Sequence, residues 1–296
     1  MPTLVRKLIL AAALACLPLC AHAGQGPQEE AKPFDSGVEQ VYRIPMTPPK
    51  TPDRTLLLES TIFRPATGGP FKTVVINHGS PRQPNERRAS GRARFEVAAR
   101  WFLSKGWAVV VPMRRGYAAS EGEWAEGYGS CEDPDFVTAG LSTANDIGAV
   151  VKYVRTLDFV DPDHIVVVGQ SAGAWGTLAV SGRNLPGVVA TIAVAPGRAS
   201  IAEYQNCAPD RLVEAAGTFG AKGTTPLLWL NTSNDTFFGV PLVRRMVDAF
   251  SANGAPVEFV QLASFGRDGH SLLQEPRFSD YWTQPVETFL HRMGEM

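Results

Sequence analysis

The sequence predicts an α/β protein in which helices cover both faces of a mainly parallel sheet. Short apolar runs rich in β-branched residues alternate with longer segments of helical spacing along most of the chain. Such alternation is typical of parallel sheets, because each helix carries the chain back to begin the next strand beside the last. The length of 296 residues, of which 44% are hydrophobic and 19% charged, suits one large soluble domain. No repeat or change of composition marks a second one, so we expect a single domain over residues 38–296.

The first residues have the pattern of a secretion signal. Arg6 and Lys7 precede a short apolar stretch, and a small-x-small cleavage site ends at Ala23. The apolar stretch is shorter than a membrane-spanning helix requires. We therefore expect residues 1–23 to be a signal peptide and residues 24–37 to form a flexible leader. The mature protein is expected to be periplasmic or secreted, without stable membrane insertion.

The four cysteines divide into two in the signal region and two beyond it. The alternative to cleavage is a lipid anchor at Cys16 or Cys20, but the residues before them match a lipoprotein signal poorly. Cys131 and Cys207 remain after cleavage, and an even number of cysteines in an exported protein predicts a disulfide. The other interpretation of this pair is two buried free thiols.

Charge and motif content argue against several classes of function. The formal net charge of -1 offers no attraction to nucleic acid. His78, His164 and His270 lack the spacing of metal ligands, and two cysteines alone form no zinc site. The sequence contains no Gly-rich phosphate loop and no dinucleotide motif. We expect no cofactor, no metal and no nucleic-acid partner.

The first two strands are predicted to pair antiparallel, and the later strands to be parallel. The first two strands, at 38–44 and 55–63, are expected to pair antiparallel, because the Pro-rich link between them cannot be helical. Repeated strand and helix units follow, interrupted at 196–225 by a partly helical excursion that is expected to form a small lid. Strands are predicted at 73–77, 107–111, 165–168, 188–194, 227–230 and 257–262, and helices at 93–105, 139–157, 175–181, 240–253 and 281–292.

One stretch combines a strand, a tight turn and a helix. The apolar run that ends at Val168 continues directly into Gly169-Gln170-Ser171-Ala172-Gly173 and then into helix-compatible residues. A Gly-x-Ser-x-Gly pattern in this context is the sequence of a nucleophile elbow. The two glycines allow a turn tight enough to hold Ser171 in a strained conformation with its hydroxyl exposed. Ser171 is therefore the candidate nucleophile, and the strand and helix on either side disfavour the alternative of a chance Gly/Ser turn.

Three further motifs accompany the elbow. They are His78-Gly79-Ser80-Pro81, Arg114-Arg115-Gly116-Tyr117 followed by Ser120 and Gly122, and Asp161-Pro162. Together with the elbow, they give nearly all of the mature chain a resemblance to the α/β-hydrolase superfamily. The most similar branches are the dienelactone-hydrolase-like and acyl-peptidase-like serine hydrolases. The resemblance implies an α/β-hydrolase fold with a mostly parallel eight-stranded sheet of order 1-2-4-3-5-6-7-8, helices on both faces and a small lid.

The candidate base follows from the chemistry of the serine. A serine hydroxyl needs a base in contact with it and a carboxylate that orients the base. The resemblance implies the chain order serine, acid, histidine. Only His270 and His291 follow Ser171. His291 lies in the predicted terminal helix, whereas His270 lies in a Gly-containing loop after the last strand, so His270 is the candidate base.

The candidate acid is Asp235, one of seven carboxylates between Ser171 and His270. Asp235 follows a predicted strand at the sheet edge where the other catalytic loops emerge, and the resemblance also puts the acid there. Asp268 is the alternative, but two residues before the histidine it is better placed to shape the loop. Without a catalytic role, Asp235 would be an ordinary turn residue.

Attack on an ester or amide carbonyl creates an oxyanion that needs hydrogen-bond donors. The first candidate donor is the backbone N–H of Ala172, at the start of the elbow helix. The resemblance implies Ser80 as the second, since Pro81 has no N–H. His78 is expected to hold the Ser80 loop through hydrogen bonds.

The implied strand order places Cys131 and Cys207 on loops at either side of the site, so that a bond between them would strap both loops over it. We expect such a bond to contribute about 3 to 5 kcal/mol by restricting the unfolded chain. The same loops carry aromatic side chains that either pack a small local core or contact substrate. These are Trp124, Tyr128, Phe136 and Tyr204.

These residues predict an exported serine hydrolase that cleaves a small carboxylic ester, or a short acyl substrate, through an acyl-enzyme. One alternative is a serine peptidase of the acyl-peptidase-like branch, whose members share the motifs but usually carry a propeller domain. The other is a non-catalytic binding protein on a hydrolase scaffold, against which a complete candidate triad argues.

Overall fold

The structure is a computed structural model that describes residues 26–296. The predicted signal peptide, with Cys16 and Cys20, lies outside the described residues. Eight long strands build the central sheet. They are β1 (Gly37–Met46), β2 (Leu56–Pro65), β3 (Phe71–Asn77), β4 (Ala108–Pro112), β5 (Val160–Gln170), β6 (Val188–Val194), β7 (Leu227–Thr232) and β8 (Val257–Leu262).

The order of these strands across the sheet is β1-β2-β4-β3-β5-β6-β7-β8. Strand β2 pairs antiparallel with both β1 and β4, and every other neighbouring pair among the eight is parallel. The α/β-hydrolase fold and its strand order are therefore confirmed. Parallel pairing also brings the carboxyl ends of β3, β5, β7 and β8 to one edge of the sheet, where ligand sites of open α/β sheets lie.

The segment before β1 differs from the flexible leader expected over residues 24–37. Two short strands, Gly26–Pro27 and Lys32–Phe34, pair antiparallel with β1 and bring the sheet to ten strands. The Phe34 ring is buried against Phe63, with ring centroids 4.4 Å apart. A buried aromatic side chain supplies the apolar contact that this polar segment otherwise lacks, so its described part is ordered on the sheet.

Helices cover both faces of the sheet. They are α1 (Glu86–Ala89), α2 (Glu96–Ser104), α3 (Phe136–Val154), α4 (Ala172–Val180), α5 (Pro209–Gly220), α6 (Val240–Ser251) and α7 (Ser279–Arg292), with 3-10 turns at Gly269–Gln274 and Pro276–Phe278. Helices α3 to α6 pack against one face, through side chains such as Trp175 and Phe250, and α2 and α7 pack against the other, through Phe102 and Trp282. Within residues 26–296, no helix combines the length and apolar character that crossing a bilayer demands.

The excursion between β6 and β7 divides into two parts. Its first part, residues 196–208, contains a small hairpin formed by Ser200–Ala202 and Gln205–Asn206. Its second part contains α5, which buries Phe219 against Trp175 with ring centroids 5.3 Å apart. Helix α5 is thus part of the layer that covers the sheet, and the segment left beside the site is shorter than the lid expected from the sequence.

Candidate active site

Ser171 lies at the turn between β5 and α4 in a strained backbone conformation. Its φ of 56° and ψ of -120° fall where residues other than glycine are rarely found. The flanking glycines make this turn possible. A Cβ atom on Gly169 would lie 2.5 Å from backbone atoms at the start of α4, and one on Gly173 would lie 2.3 Å from the carbonyl oxygen of Asn77. The turn holds Ser171 in the wall of a surface cleft that is partly open to solvent.

His270 and Asp235 are in contact at the same edge of the sheet. His270 Nδ1 lies 3.1 Å from both carboxylate oxygens of Asp235. The carboxylate is itself held in place: Oδ1 accepts the backbone N–H groups of Phe237 and Phe238 at 2.8 and 3.0 Å, and Oδ2 accepts Asn231 Nδ2 at 3.2 Å. Because Nδ1 faces a carboxylate, it carries the proton, and Nε2 has the lone pair that a general base requires.

Two further contacts fix the orientation of His270. The Phe237 ring stacks on the imidazole, with centroids 3.8 Å apart and an angle of 8° between the planes. The Gln170 amide, next to Ser171 in the elbow, donates a long hydrogen bond of 3.4 Å to the carbonyl oxygen of His270. The imidazole is therefore held beside the elbow, and the His270 side chain is 7% exposed.

The alternatives to these two residues occupy other positions. Asp268 accepts the backbone N–H of His270 at 3.0 Å and that of Thr236 at 3.1 Å, and the Thr236 hydroxyl also donates to it. It therefore joins the two loops through backbone groups and does not contact the imidazole nitrogens. His291 is exposed on α7 and bonds the carbonyl oxygen of Met296.

The expected oxyanion donors, Ala172 and Ser80, both line the cleft beside Ser171. Ala172 is the first residue of α4, so its N–H has no carbonyl partner inside the helix. The Ser80 loop approaches the elbow closely at Gly79, where an added Cβ atom would lie 3.1 Å from Ser171 Cβ. The Tyr117 hydroxyl donates to Ser80 Oγ at 2.9 Å and ties this loop to the one after β4.

His78 holds the oxyanion loop in place. Its Nδ1 bonds the carbonyl oxygen of Gly79 at 2.6 Å, and its Nε2 accepts the backbone N–H of Arg114 at 3.2 Å. Both contacts fit a neutral ring, and burial, followed by the positive charge of Arg114, lowers the pKa of His78 to about 3. Both ring nitrogens are engaged and leave none for a metal. Across residues 26–296, no three His, Cys, Asp or Glu side chains are grouped as a metal site requires.

A buried cluster of charges lies behind the cleft. The Glu126 carboxylate bonds two guanidinium groups, that of Arg114 through a very short contact and that of Arg198 at 2.8 Å, and it also accepts the Tyr117 hydroxyl at 3.1 Å. Burial alone would raise the pKa of Glu126, but the two arginines hold it below its ordinary value. No sequence signal marks Glu126 or Arg198, because folding joins residues 72 positions apart. Arg114 and Tyr117, in contrast, belong to the motif that begins at Arg114.

A disulfide joins Cys131 to Cys207 across 76 positions of sequence, as predicted. It links the loop before α3 to the end of residues 196–208, and both segments contribute side chains to the cleft. The aromatic residues of these loops have different environments. Trp124 and Tyr128 line the cleft, Phe136 is buried in the core, and Tyr204 is 63% exposed.

The family of the chain is evident from a sequence comparison. The family model described as X-Pro dipeptidyl-peptidase (S15 family) matches residues 54–263, well over half of the chain. The chain belongs to the S15 family. The residues that match the S15 model include Ser171 and Asp235 and end before His270. The fold and the family together identify a hydrolase of the serine α/β-hydrolase type.

Proteins similar to this S15 member in sequence or in fold include a quorum-quenching protein, an esterase and a peptidase. The quorum-quenching protein AidA of Acinetobacter baumannii (strain MDR-ZJ06) is 27% identical over 123 residues, which are 42% of this chain and 35% of that protein, so the match spans about a third of the relative's length. An acetyl xylan esterase from Paenibacillus sp. R4 has a similar fold, with a TM-score of 0.59, 15% identity and 89% of each chain covered. Dipeptidyl peptidase 4 from Porphyromonas gingivalis also has a TM-score of 0.59, with 17% identity over 86% of this chain and 35% of that one.

Proposed function

We propose that the protein is an exported serine hydrolase that cleaves carboxylic esters of small molecules through an acyl-enzyme. The observation that carries this proposal is the geometry at one edge of the sheet. Ser171 occupies a strained elbow, His270 is held by Asp235 and its Nε2 has no partner among residues 26–296, and Ala172 and Ser80 line the same cleft as Ser171. These are the parts that acyl transfer needs.

The proposed reaction has two halves. Ser171 Oγ attacks the ester carbonyl while His270 Nε2 takes its proton, and the oxyanion is bound by the N–H groups of Ala172 and Ser80. His270 then returns the proton to the leaving alcohol, and the acyl group stays on Ser171. Water attacks this acyl-enzyme with His270 again acting as base, and collapse of the second tetrahedral intermediate releases the carboxylic acid and restores the serine hydroxyl. Asp235 stabilises the imidazolium that forms in each half.

Peptide hydrolysis is the second candidate, and membership of the S15 family favours it. The same catalytic groups serve both reactions, because amide cleavage proceeds through the same acyl-enzyme. An ester is more reactive than an amide, so ester cleavage requires fewer binding features in addition to the catalytic groups described. A dipeptidyl peptidase must in addition bind the ammonium group of a peptide N-terminus, and the side chains that line the cleft include no carboxylate.

The test is a panel of p-nitrophenyl acyl esters and aminoacyl-proline anilides, assayed with the wild type and with Ser171→Ala. We expect turnover of esters by the wild type alone. Turnover of the anilides at comparable kcat/KM would replace the esterase assignment with the peptidase one. If a fluorophosphonate probe leaves Ser171 unlabelled in the folded protein and neither substrate class is cleaved, the chain would instead be a binding protein on a hydrolase scaffold.

Export is part of the same proposal. The disulfide between Cys131 and Cys207 supports it, since such bonds persist mainly in oxidising compartments. Mass spectrometry of the mature protein from an extracellular or periplasmic fraction tests it. An N-terminus near residue 24 is the expected result, and an intact Met1 in that fraction would contradict cleavage.

A further inference from the structure

The cleft beside Ser171 is lined by cations. Three arginines from different segments reach it: Arg82 after the oxyanion loop, Arg87 in α1, and Arg198 after β6. No Asp or Glu is among the residues that line it. A cleft walled by charges of one sign concentrates a field that attracts the opposite charge.

Arg87 has no polar partner for its guanidinium within residues 26–296. The group stacks on the Trp124 ring, 3.4 Å from the ring centroid, and its Nε is buried without a hydrogen-bond partner. Stacking occupies the face of a guanidinium and leaves its N–H groups, which lie in the plane, available to a ligand. Arg82 is arranged in the same way: it lies 3.8 Å from the centroid of Phe237 and donates one hydrogen bond, of 2.9 Å, to Ser200 Oγ.

Arg198 adds a buried charge at the inner wall of the cleft. Its side chain is 3% exposed, yet its Nε has no partner. The Glu126 carboxylate is shared between Arg198 and Arg114, so the three groups together retain one positive charge. A buried cation that lacks one of its hydrogen bonds is costly, and an anion bound at the cleft would offset that cost.

We propose that this cleft is an anion subsite that binds a carboxylate of the substrate, so that the preferred ester carries a free carboxyl group near its scissile bond. This inference rests on the proposed esterase function. A carboxylate has the planar shape and two oxygens that match a guanidinium edge. Ser171 and the arginines line one cleft, so the carboxylate and the scissile carbonyl belong to one small molecule, such as the hemiester of a dicarboxylic acid.

The test compares two esters that differ in one charge: mono-p-nitrophenyl glutarate, which has a free carboxylate, and its methyl ester, which is neutral. We expect the wild type to prefer the charged ester by at least about tenfold in kcat/KM, because a charge-assisted hydrogen bond contributes this much or more. The ratio of the two kcat/KM values should fall toward one at high salt, because salt screens charges in a cleft that is open to solvent. Arg87→Met should lower the ratio by about tenfold.

The matched control is Arg244→Met. Arg244 also lies beside an aromatic ring, that of Phe259, but it is on the exposed side of α6 and away from the cleft. This variant should keep the wild-type ratio. An equal kcat/KM for both esters in the wild type, or an unchanged ratio in Arg87→Met, would overturn the anion subsite and leave the esterase intact.

A second measurement separates the failure of the subsite from failure of the esterase. Glutarate should protect Ser171 from a neutral fluorophosphonate probe, and the methyl ester of glutaric acid amide, which lacks the charge, should not. Protection that is lost in Arg87→Met supports the subsite even if neither ester is turned over. Labelling that glutarate does not slow contradicts it.

Discussion

Two buried histidines lie near the elbow, and the hydrogen bonds at their two ring nitrogens decide what each can do. His270 and His78 are 5% and 6% exposed, and each has a hydrogen bond at Nδ1. At His270 the Nδ1 partner is the Asp235 carboxylate, and Nε2 has no partner among the described residues. At His78 the partner is the Gly79 carbonyl, and Nε2 accepts the N–H of Arg114.

This difference separates a base from a structural side chain. A proton that arrives at His270 Nε2 is stabilised by the carboxylate across the ring. A proton on His78 Nε2 would break the hydrogen bond to Arg114 and place a second positive charge beside its guanidinium. Burial of a histidine near Ser171 is thus insufficient to identify the base. The partner of Nδ1 and the freedom of Nε2 are the deciding features.

The largest effect is expected from His270→Ala. Loss of the base should lower kcat for a p-nitrophenyl ester by roughly 10⁶-fold, the scale found when a triad histidine is removed. The exposed His291 provides the matched control, and His291→Ala should keep wild-type kinetics. Comparable losses in the two variants would show that His270 is not the base.

The next effect concerns the carboxylate that distinguishes the two histidines. Asp235→Asn should lower kcat by about 10⁴-fold with a small change in KM, because an amide at this position stabilises the wrong tautomer and no longer stabilises the imidazolium. Stopped-flow or steady-state assays with one ester are sufficient. A loss confined to KM would mean that Asp235 binds substrate and does not orient the base.

A third effect is on stability and involves His78. Its pKa is about 3 in the folded protein and 6.5 in the unfolded chain, so acidification below pH 6.5 adds a proton to the unfolded state first and destabilises the fold. Between pH 7 and 4.5 this group alone should remove about 2 to 3 kcal/mol of unfolding free energy. His78→Gln should lack this part of the pH dependence, measured by urea unfolding at the two pH values.

The contribution of His78 is the difference between the pH dependence of the unfolding free energy of the wild type and that of His78→Gln. The contributions of titratable groups that both proteins contain cancel in this difference. Asp146 is one such group: burial, opposed by Arg115, raises its pKa to about 6, which favours the folded state as the pH falls from 6 toward 4. His291→Gln is the control for loss of a surface histidine. An identical pH slope in the wild type and His78→Gln would refute the assignment of a neutral, buried His78.

The smallest effect is expected from Asp268→Asn. This carboxylate bonds backbone groups of the His270 loop and leaves the imidazole to Asp235. An amide keeps one acceptor oxygen, so kcat/KM should fall less than about tenfold and the unfolding free energy by about 1 kcal/mol. A loss as large as that of Asp235→Asn would exchange the roles of the two aspartates.

The sequence predicted most of the elements because their signals are local. The runs 188–194 and 257–262 are strands with the bounds expected. Each run is rich in β-branched or aromatic residues, and turn residues beside the run mark its ends. The pairing of Cys131 with Cys207 followed from counting cysteines in a mature exported chain. The contact between His270 and Asp235 was anticipated from motif order and loop position.

Features that depend on distant packing were missed. Phe34 orders the segment before β1 only because Phe63 lies beside it in the folded sheet. The cationic wall of the cleft likewise depends on Arg198 meeting Arg82 and Arg87, which lie more than 100 positions before it, and a chain with a net charge of -1 gives no hint of it. Local composition reports the sum of charges, whereas the fold decides where they meet.

The disulfide has a consequence for how the chain tolerates damage. Ser171 lies between Cys131 and Cys207, inside the covalent ring that the bond closes, whereas Asp235 and His270 lie beyond it. A single backbone cut anywhere within the ring would leave both pieces joined as one molecule, with the nucleophile still tethered to its base. A cut between Cys207 and Asp235 would release the base and its acid as a separate fragment. Whether the nucleophile and the base remain in one covalent molecule after proteolysis should therefore depend on which side of Cys207 the cut falls.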